Sequence, residues 1–351
     1  MKSIYSAMKK QELNVQQRVF FFDLLRAIAA VAVIAIHVLA PYRDLLGEIP
    51  FAEWLTAVTV NGASRWAVPV FIMISGALML SDHRPFELRY YLDRRLGKVL
   101  IPFVIWSLFY AVLSGWSVSG FDGAITWRTL LSSPQHETYY HLGFFYYFIP
   151  LYLVIPFLQW GVQRWDNSAL YALVVVWLLT TVLNLLRLDG PWSNDLWLFS
   201  GYLPLGYLLY QKWPLNRGSV LGIALVGLVS LYITVHTVVM LSLAENEYSV
   251  GRWFSYKTIN VVLIASMVFI LARALATKLP LSWQRGVSFV SRHSLGIYLL
   301  HPIFLWPMKA YGWWQGNPAW VIPLWVVISG VGSLWVSWLV SRSSKTRWLL
   351  P

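Results

Sequence analysis

The sequence predicts an all-α integral membrane protein with ten transmembrane helices and both termini in the cytoplasm. Three observations carry that expectation. Hydrophobic residues fill 58% of the 351 positions and charged residues only 12%, which leaves too little polar surface for a water-soluble fold. Ten stretches approach the roughly 20 apolar residues needed to cross a bilayer: 19–40, 55–80, 99–118, 142–161, 169–186, 196–211, 219–243, 258–276, 288–308 and 318–340. The basic residues between these stretches are distributed unevenly from loop to loop.

The first stretch, "FFDLLRAIAAVAVIAIHVL" at 21–39, reads as a retained helix rather than a cleaved signal peptide. It is too long for one, it holds Arg26, and nine more stretches follow. The second, with "SRWAVPVFIMISG" at 64–76, carries Arg65, and Pro69 is expected to kink it. Ser75 and Gly76 suit close helix packing, so Ser75 is not read as a nucleophile. The sixth contains Gly201, Pro204 and Gly206 and is expected to be broken or tilted.

No linker separates a second folded domain, and no internal repeat is visible. Residues 1–18 read as a cytoplasmic N-terminal segment, 19–341 as one membrane domain and 342–351 as a basic cytoplasmic tail. Loop charge sets orientation, because Lys and Arg are retained on the cytoplasmic side. With the N-terminus inside, eighteen of the 27 Lys and Arg lie inside and six outside, while Arg26, Arg65 and Arg292 sit within or at the edge of spans. The strongest single contribution is "RYYLDRRLGK" at 89–98, which holds Arg94 and Arg95. The net charge of +12 is accounted for by this topology, and no nucleic-acid partner is expected. Without cysteine there is no disulfide, no thiol nucleophile and no thiolate metal site.

A charge inside the hydrocarbon is costly and usually faces a bundle interior or a water-filled cavity. Asp23, Arg26 and His37 all fall on the first helix. Arg26 and His37 are eleven residues apart, so at about 100° per residue they differ by only about 20° around the axis, with a separation of roughly 16 Å. Asp23 lies one turn below Arg26 and is placed to pair with it. One alternative is purely structural: a buried Asp23–Arg26 pair and an interfacial His37 bonded to a neighbouring helix. The other is a site for a long ligand with anionic phosphates at one end and a reactive group at the other, such as a coenzyme A thioester. Arginine suits phosphate through its permanent charge and planar fork of donors. Histidine suits the reactive end because it accepts a proton near neutral pH. Arg65 either lines the same cavity or neutralises a buried acid.

Residues 136–156, "HETYYHLGFFYYFIPLYLVIP", gather His136, Glu137 and His141 beside many aromatics, a composition that fits an interfacial belt or a carbohydrate mouth. His136 and His141 are five apart and do not share a helix face, so no metal site is expected. In "SRHSLGIYLLHPI" at 291–303, Arg292 and His293 fall at the cytoplasmic edge. There they reach solvent or meet phosphate. His301 reads as a packing histidine and His236 as structural. There is no Gly-rich phosphate loop, no H-x-x-x-H pair and no G-x-S-x-G elbow.

Taken together and in order, "DLLR" followed ten residues later by His37, "SRWAVPVFIMISG", "DRRLGKVLIP", "YYHLGFFYYFIPLYLVIP" and "SRHSLGIYLLHP" resemble acyltransferase family 3, the integral membrane O-acyltransferases. The resemblance covers about 20–305 and is nearest, at "SRHSLGIY" and "VPVFIMISG", to members that O-acetylate enterobacterial common antigen. It departs at Gly143, where relatives often carry Trp, and that leaves the acceptor open.

The resemblance implies a membrane O-acetyltransferase of the bacterial inner membrane. The donor would be cytoplasmic acetyl-CoA, the acceptor a hydroxyl of an envelope glycan or lipid-linked sugar, and no cofactor would be permanently bound. On this expectation His37 is catalytic, Arg26, Arg65, Arg94 and Arg95 hold the donor, and Asp23, Glu137, His141 and Arg292 support the site. The alternative is a transporter or flippase of an anionic lipid-linked sugar, since intramembrane charges mark substrate paths there too. Transporters commonly carry paired broken helices in two related halves, and only one interrupted stretch is visible here.

Overall fold

The computed structural model describes residues 2–350, with side chains from Phe20 onward; the side chains of the expected N-terminal segment 1–18 lie outside the described residues. The chain is an all-α membrane protein. Eight of its described helices are long and apolar enough to cross a bilayer. The ten expected stretches fall largely on helices; 55–80 is interrupted at Arg65 yet still forms one candidate span, Phe51–Met79, whereas 196–211 and 288–308 are interrupted and are not among the eight.

Helix α1 (Lys2–Val38) is the hub and packs against α2 (Phe51–Ser64), α3 (Ala67–Met79), α12 (Ile259–Ala276), α13 (Leu281–Arg292), α14 (Ser294–Ala310) and α15 (Pro318–Ser341). Its composition permits this central position. Ala29, Ala30, Ala32 and Ala35 are all buried, and small residues let neighbouring helices approach closely. Because α1 is continuous through Val38, Arg26 and His37 keep the common stripe that their spacing predicts.

Proline accounts for the break between α2 and α3. Pro69 has no N–H and its ring clashes with the carbonyl four residues earlier. That residue is Arg65, where α2 gives way to α3. The sixth stretch is broken as expected, into α9 (Asp195–Ser200) and α10 (Tyr202–Gln211) at Gly201. A Cβ on Gly201 would lie 2.1 Å from the Trp177 ring. Helices α3 and α10 then pack flat against each other, with Gly76 against the Leu203 backbone and Gly206 against the Met73 backbone.

Two features fall outside the sequence-based expectation. Between α4 (Leu88–Tyr91) and α5 (Gly97–Ser114), residues Leu92–Leu96 form a π-helical turn. The segment 115–142 holds a two-residue hairpin, Trp116–Ser117 with Gly120–Phe121, and the short helix α6 (Gly123–Ser132). The remaining helices α7 (Gly143–Arg164), α8 (Asn167–Leu185) and α11 (Arg217–Glu245) complete the bundle.

Candidate active site

At the end of the bundle that carries loop 80–87, Asp23 is satisfied from two directions. It forms an ion pair with Arg26 at 3.6 Å, and it accepts hydrogen bonds of 2.7 Å from the hydroxyls of Ser288 and Ser291 on α13. Asp23 thus ties α1 to α13, and the guanidinium of Arg26 is left partly free. That guanidinium lines a cavity of about 310 Å³ together with Arg94, Arg95 and Lys98.

The adjacent arginines Arg94 and Arg95 of the π turn both line this cavity. π turns of this kind recur at functional sites. The two arginines differ in freedom. Arg95 pairs with Asp82 at 3.3 Å, and Asp82 also takes Arg84 at 2.5 Å. The Arg84 hydrogen bonds hold the Asp82 carboxyl down to about 2. Arg94 has no acidic partner among the described residues.

The cavity is also lined by Phe144, Phe145, Phe148 and Tyr298. Beyond Tyr298 lies a cluster of three histidines. The Tyr298 ring is 5.6 Å from His141 and 6.0 Å from His301, centroid to centroid, and its hydroxyl donates to the His141 carbonyl. His301 stacks on His37 at 5.2 Å with 23° between the planes and meets His141 edge-on at 5.4 Å. Tyr140 also packs against His37 at 4.7 Å, and the Lys309 ammonium sits 4.0 Å above the Tyr140 ring.

His301 owes its orientation to the residue after it. Pro302 cannot donate to the Tyr298 carbonyl four residues back. The His301 Nδ1 lies 2.7 Å from that oxygen. A carbonyl only accepts, so Nδ1 carries the proton and Nε2 is the unprotonated nitrogen. His301 is fully buried, and its Nε2 has no hydrogen-bond partner among the described residues. Neither ring nitrogen of His141 makes a well-formed hydrogen bond, although the Leu299 carbonyl, already held by Tyr110, lies nearby. His37 is half-buried and makes no hydrogen bond to the described residues. Among those residues no group of three or more His, Asp or Glu is placed to hold a metal ion.

Several sequence-predicted residues fall elsewhere. Arg65 is not in the wall of the arginine-lined cavity. Its Nε donates to Asn61 at 2.9 Å, its guanidinium lies over Phe254 and Tyr256, and it stays within electrostatic reach of His37, as does Lys309. Glu137 is exposed and faces Gly143, where a Cβ would stand 3.6 Å from its carboxyl carbon. Arg292 joins Arg94 and Lys98 at a separate cavity. The sequence reading assigned His301 to packing and omitted Tyr140, Tyr298 and Lys309. The His301–Pro302 dipeptide was the available signal, because it leaves one helix carbonyl in need of a side-chain donor.

No curated protein and no solved structure matches the chain. The acyltransferase domain model of acyltransferase family 3 matches residues 19–342, nearly the whole chain and every element of the site described above. The protein is therefore a membrane acyltransferase, a member of acyltransferase family 3.

Proposed function

We propose that this acyltransferase moves an acetyl group from cytoplasmic acetyl-CoA to a hydroxyl of a cell-envelope glycan or lipid-linked sugar, working in the inner membrane through ten crossings. The carrying observation is the cavity that runs from Arg26, Arg94, Arg95 and Lys98 to Tyr298, one ring away from the His301 that stacks on His37. Phosphates of the donor meet the arginines, and the pantetheine arm lies along the aromatic wall toward Tyr298. His37 accepts the proton of an acceptor hydroxyl, and the oxygen attacks the thioester carbonyl carbon. The C–S bond breaks, and the proton passes from His37 to the departing CoA sulfur. His301 fixes the plane of the His37 ring. The acceptor enters from the opposite mouth, where Tyr140 and Lys309 stand beside His37 and Glu137 is exposed. Purified protein given acetyl-CoA and envelope glycan should release free CoA and acetylated sugar. Sugar movement without CoA release would overturn this in favour of transport.

Donor binding should divide unevenly among the arginines. A phosphate is charged before, during and after transfer, so its contacts appear in KM rather than kcat. A hydrogen bond to a charged group is worth about 1.5–3 kcal/mol, which corresponds to about a 10–100-fold rise in the KM for acetyl-CoA in Arg26→Ala and Arg94→Ala. Arg95→Ala should cost less, because Asp82 already engages that side chain. Arg26→Lys should fall between wild type and alanine, since it keeps the charge and loses the fork. Protein levels of Arg26→Ala should hold, because Ser288 and Ser291 still satisfy Asp23. A fall in kcat at unchanged KM would remove Arg26 from donor binding.

Ten crossings with both termini inside give a direct test by reporter fusion. Fusions at Asp93 and Lys345 should report cytoplasm, and those at Glu48 and Glu247 the outside. A cytoplasmic Glu48 would invert the side from which the donor enters.

A further inference from the structure

The geometry points to a second binding compartment at the arginine-rich end: a cavity of about 950 Å³, walled in part by the C-terminal segment, that takes the adenosine 3′-phosphate end of the donor nucleotide. This rests on the acetyl-CoA reading and extends it to residues that the cavity beside Arg26 does not contain.

Four cations line the compartment, Arg94, Lys98, Arg292 and Arg347, and none has an acidic partner among the described residues. The acid beside them, Asp93, is drawn toward Arg89 at 3.9 Å. Uncompensated positive charge around a concave space is an anion site, and arginine forks match phosphate in particular. Arg94 and Lys98 also line the cavity that leads to Tyr298, so the two spaces share a cationic wall. A ligand crossing that wall has its charge concentrated at one end and an extended uncharged arm toward the histidines. Coenzyme A has that form: a 3′-phosphate on the ribose, a pyrophosphate, then pantetheine.

The outer wall is built rather than incidental. The Leu349 carbonyl accepts from the Trp106 indole at 3.0 Å, Leu350 is buried, and the Thr346 hydroxyl donates to the Val340 carbonyl at 2.7 Å. These contacts hold Arg347 and Trp348 over the compartment. The Trp348 indole donates to the Lys345 carbonyl at 2.6 Å, which fixes its plane, while half of the side chain stays exposed. A fixed, open indole face beside phosphate-binding cations suits a purine, because base–aromatic stacking needs only a π-face.

The test compares acetyl-CoA with acetyl-dephospho-CoA, which lacks only the 3′-phosphate, on the full chain in detergent. Wild type should prefer acetyl-CoA by about 10-fold or more in kcat/KM, as expected for one or two charge-assisted contacts. Arg347→Ala and Arg292→Ala should bring that ratio close to one, Arg347→Lys should keep part of it, and Trp348→Ala should raise KM for both donors alike. Adenosine 3′,5′-bisphosphate should bind wild type and compete with acetyl-CoA. Equal use of the two donors by wild type would overturn the inference while leaving the acetyl-CoA reading standing, as would a loss in Arg347→Ala that is the same for both donors. Displacement of the bisphosphate by phosphatidylglycerol in mixed micelles would also overturn it and make the compartment a lipid headgroup site. No binding and no turnover of either donor would overturn the acetyl-CoA reading itself, and the inference with it.

Discussion

His37→Ala is expected to lower acetyl transfer by about 10²–10⁴-fold, the usual contribution of a positioned general base, with the KM for acetyl-CoA little changed. His37 sits eleven residues beyond Arg26 on one unbroken helix, roughly 16 Å along the axis, so its loss leaves the cationic end of the cavity intact. Its proton is in motion only in the transition state, and such contacts are lost from kcat. Folding should tolerate the change, because the ring is half-buried and supplies no hydrogen bond to the described residues. His37→Gln separates two roles. Glutamine still hydrogen-bonds but does not accept a proton at neutral pH, so a loss as large as that of alanine supports the base. Near-normal turnover by His37→Gln, measured as CoA release with protein level matched to wild type, would reduce His37 to a hydrogen-bonding group.

The neighbours of His37 sharpen that expectation. His301 contacts His37 by stacking and makes a side-chain hydrogen bond through Nδ1 to the Tyr298 carbonyl, so under the proposed function it is a positioning residue for the base. Tyr298 lines the cavity, and its hydroxyl donates to the His141 carbonyl. Under the proposed function, a donor in that cavity meets the Tyr298 ring, which packs on the His301 that stacks on His37.

The membrane class, the position of the first helix and the common stripe of Arg26 and His37 were legible in the sequence. They depend on local apolarity and helical period, which one segment reports by itself. The break at Arg65 was legible in approximate form, since Pro69 acts on the carbonyl four residues back. The histidine cluster was not legible. His37, His141 and His301 lie on separate segments, and nothing in the period of one helix says which face of another it meets. The π turn was hidden for a related reason: "LDRRL" has no composition that distinguishes it from an α-helical turn, yet it carries Arg94 and Arg95, which both line one cavity. Asp23 shows the same limit. Its pairing with Arg26 follows from a three-residue spacing, whereas its bonds to Ser288 and Ser291 cross more than 260 residues of chain.

The largest effect on folding is expected where α3 meets α10. Gly76 and Gly206 were legible as small residues, but not as partners in one crossing. A Cβ on Gly76 would stand 2.1 Å from the Leu203 carbonyl oxygen, and a Cβ on Gly206 would stand 2.2 Å from that of Met73. Both obstacles are backbone atoms, so no rotamer change relieves them and the two helices have to separate. Overpacking of this kind costs about 1–3 kcal/mol and sometimes more, and each alanine variant should sit at the upper end of that range, with little folded protein recovered from valine variants. Gly222 on α11 is the control, because a Cβ there meets nothing within 4 Å. Alanine removes the helix penalty of glycine, about 1 kcal/mol, so Gly222→Ala should melt at or slightly above the wild-type temperature in a detergent thermal-shift measurement, well above Gly76→Ala and Gly206→Ala. The double variant Gly76→Ala, Gly206→Ala should lose less than the sum of the two single losses, because a separation that admits one methyl group makes room for the other. Full additivity would mean that the two glycines report independent contacts, and a Gly206→Ala melt equal to that of Gly222→Ala would remove the close crossing from the account of the fold.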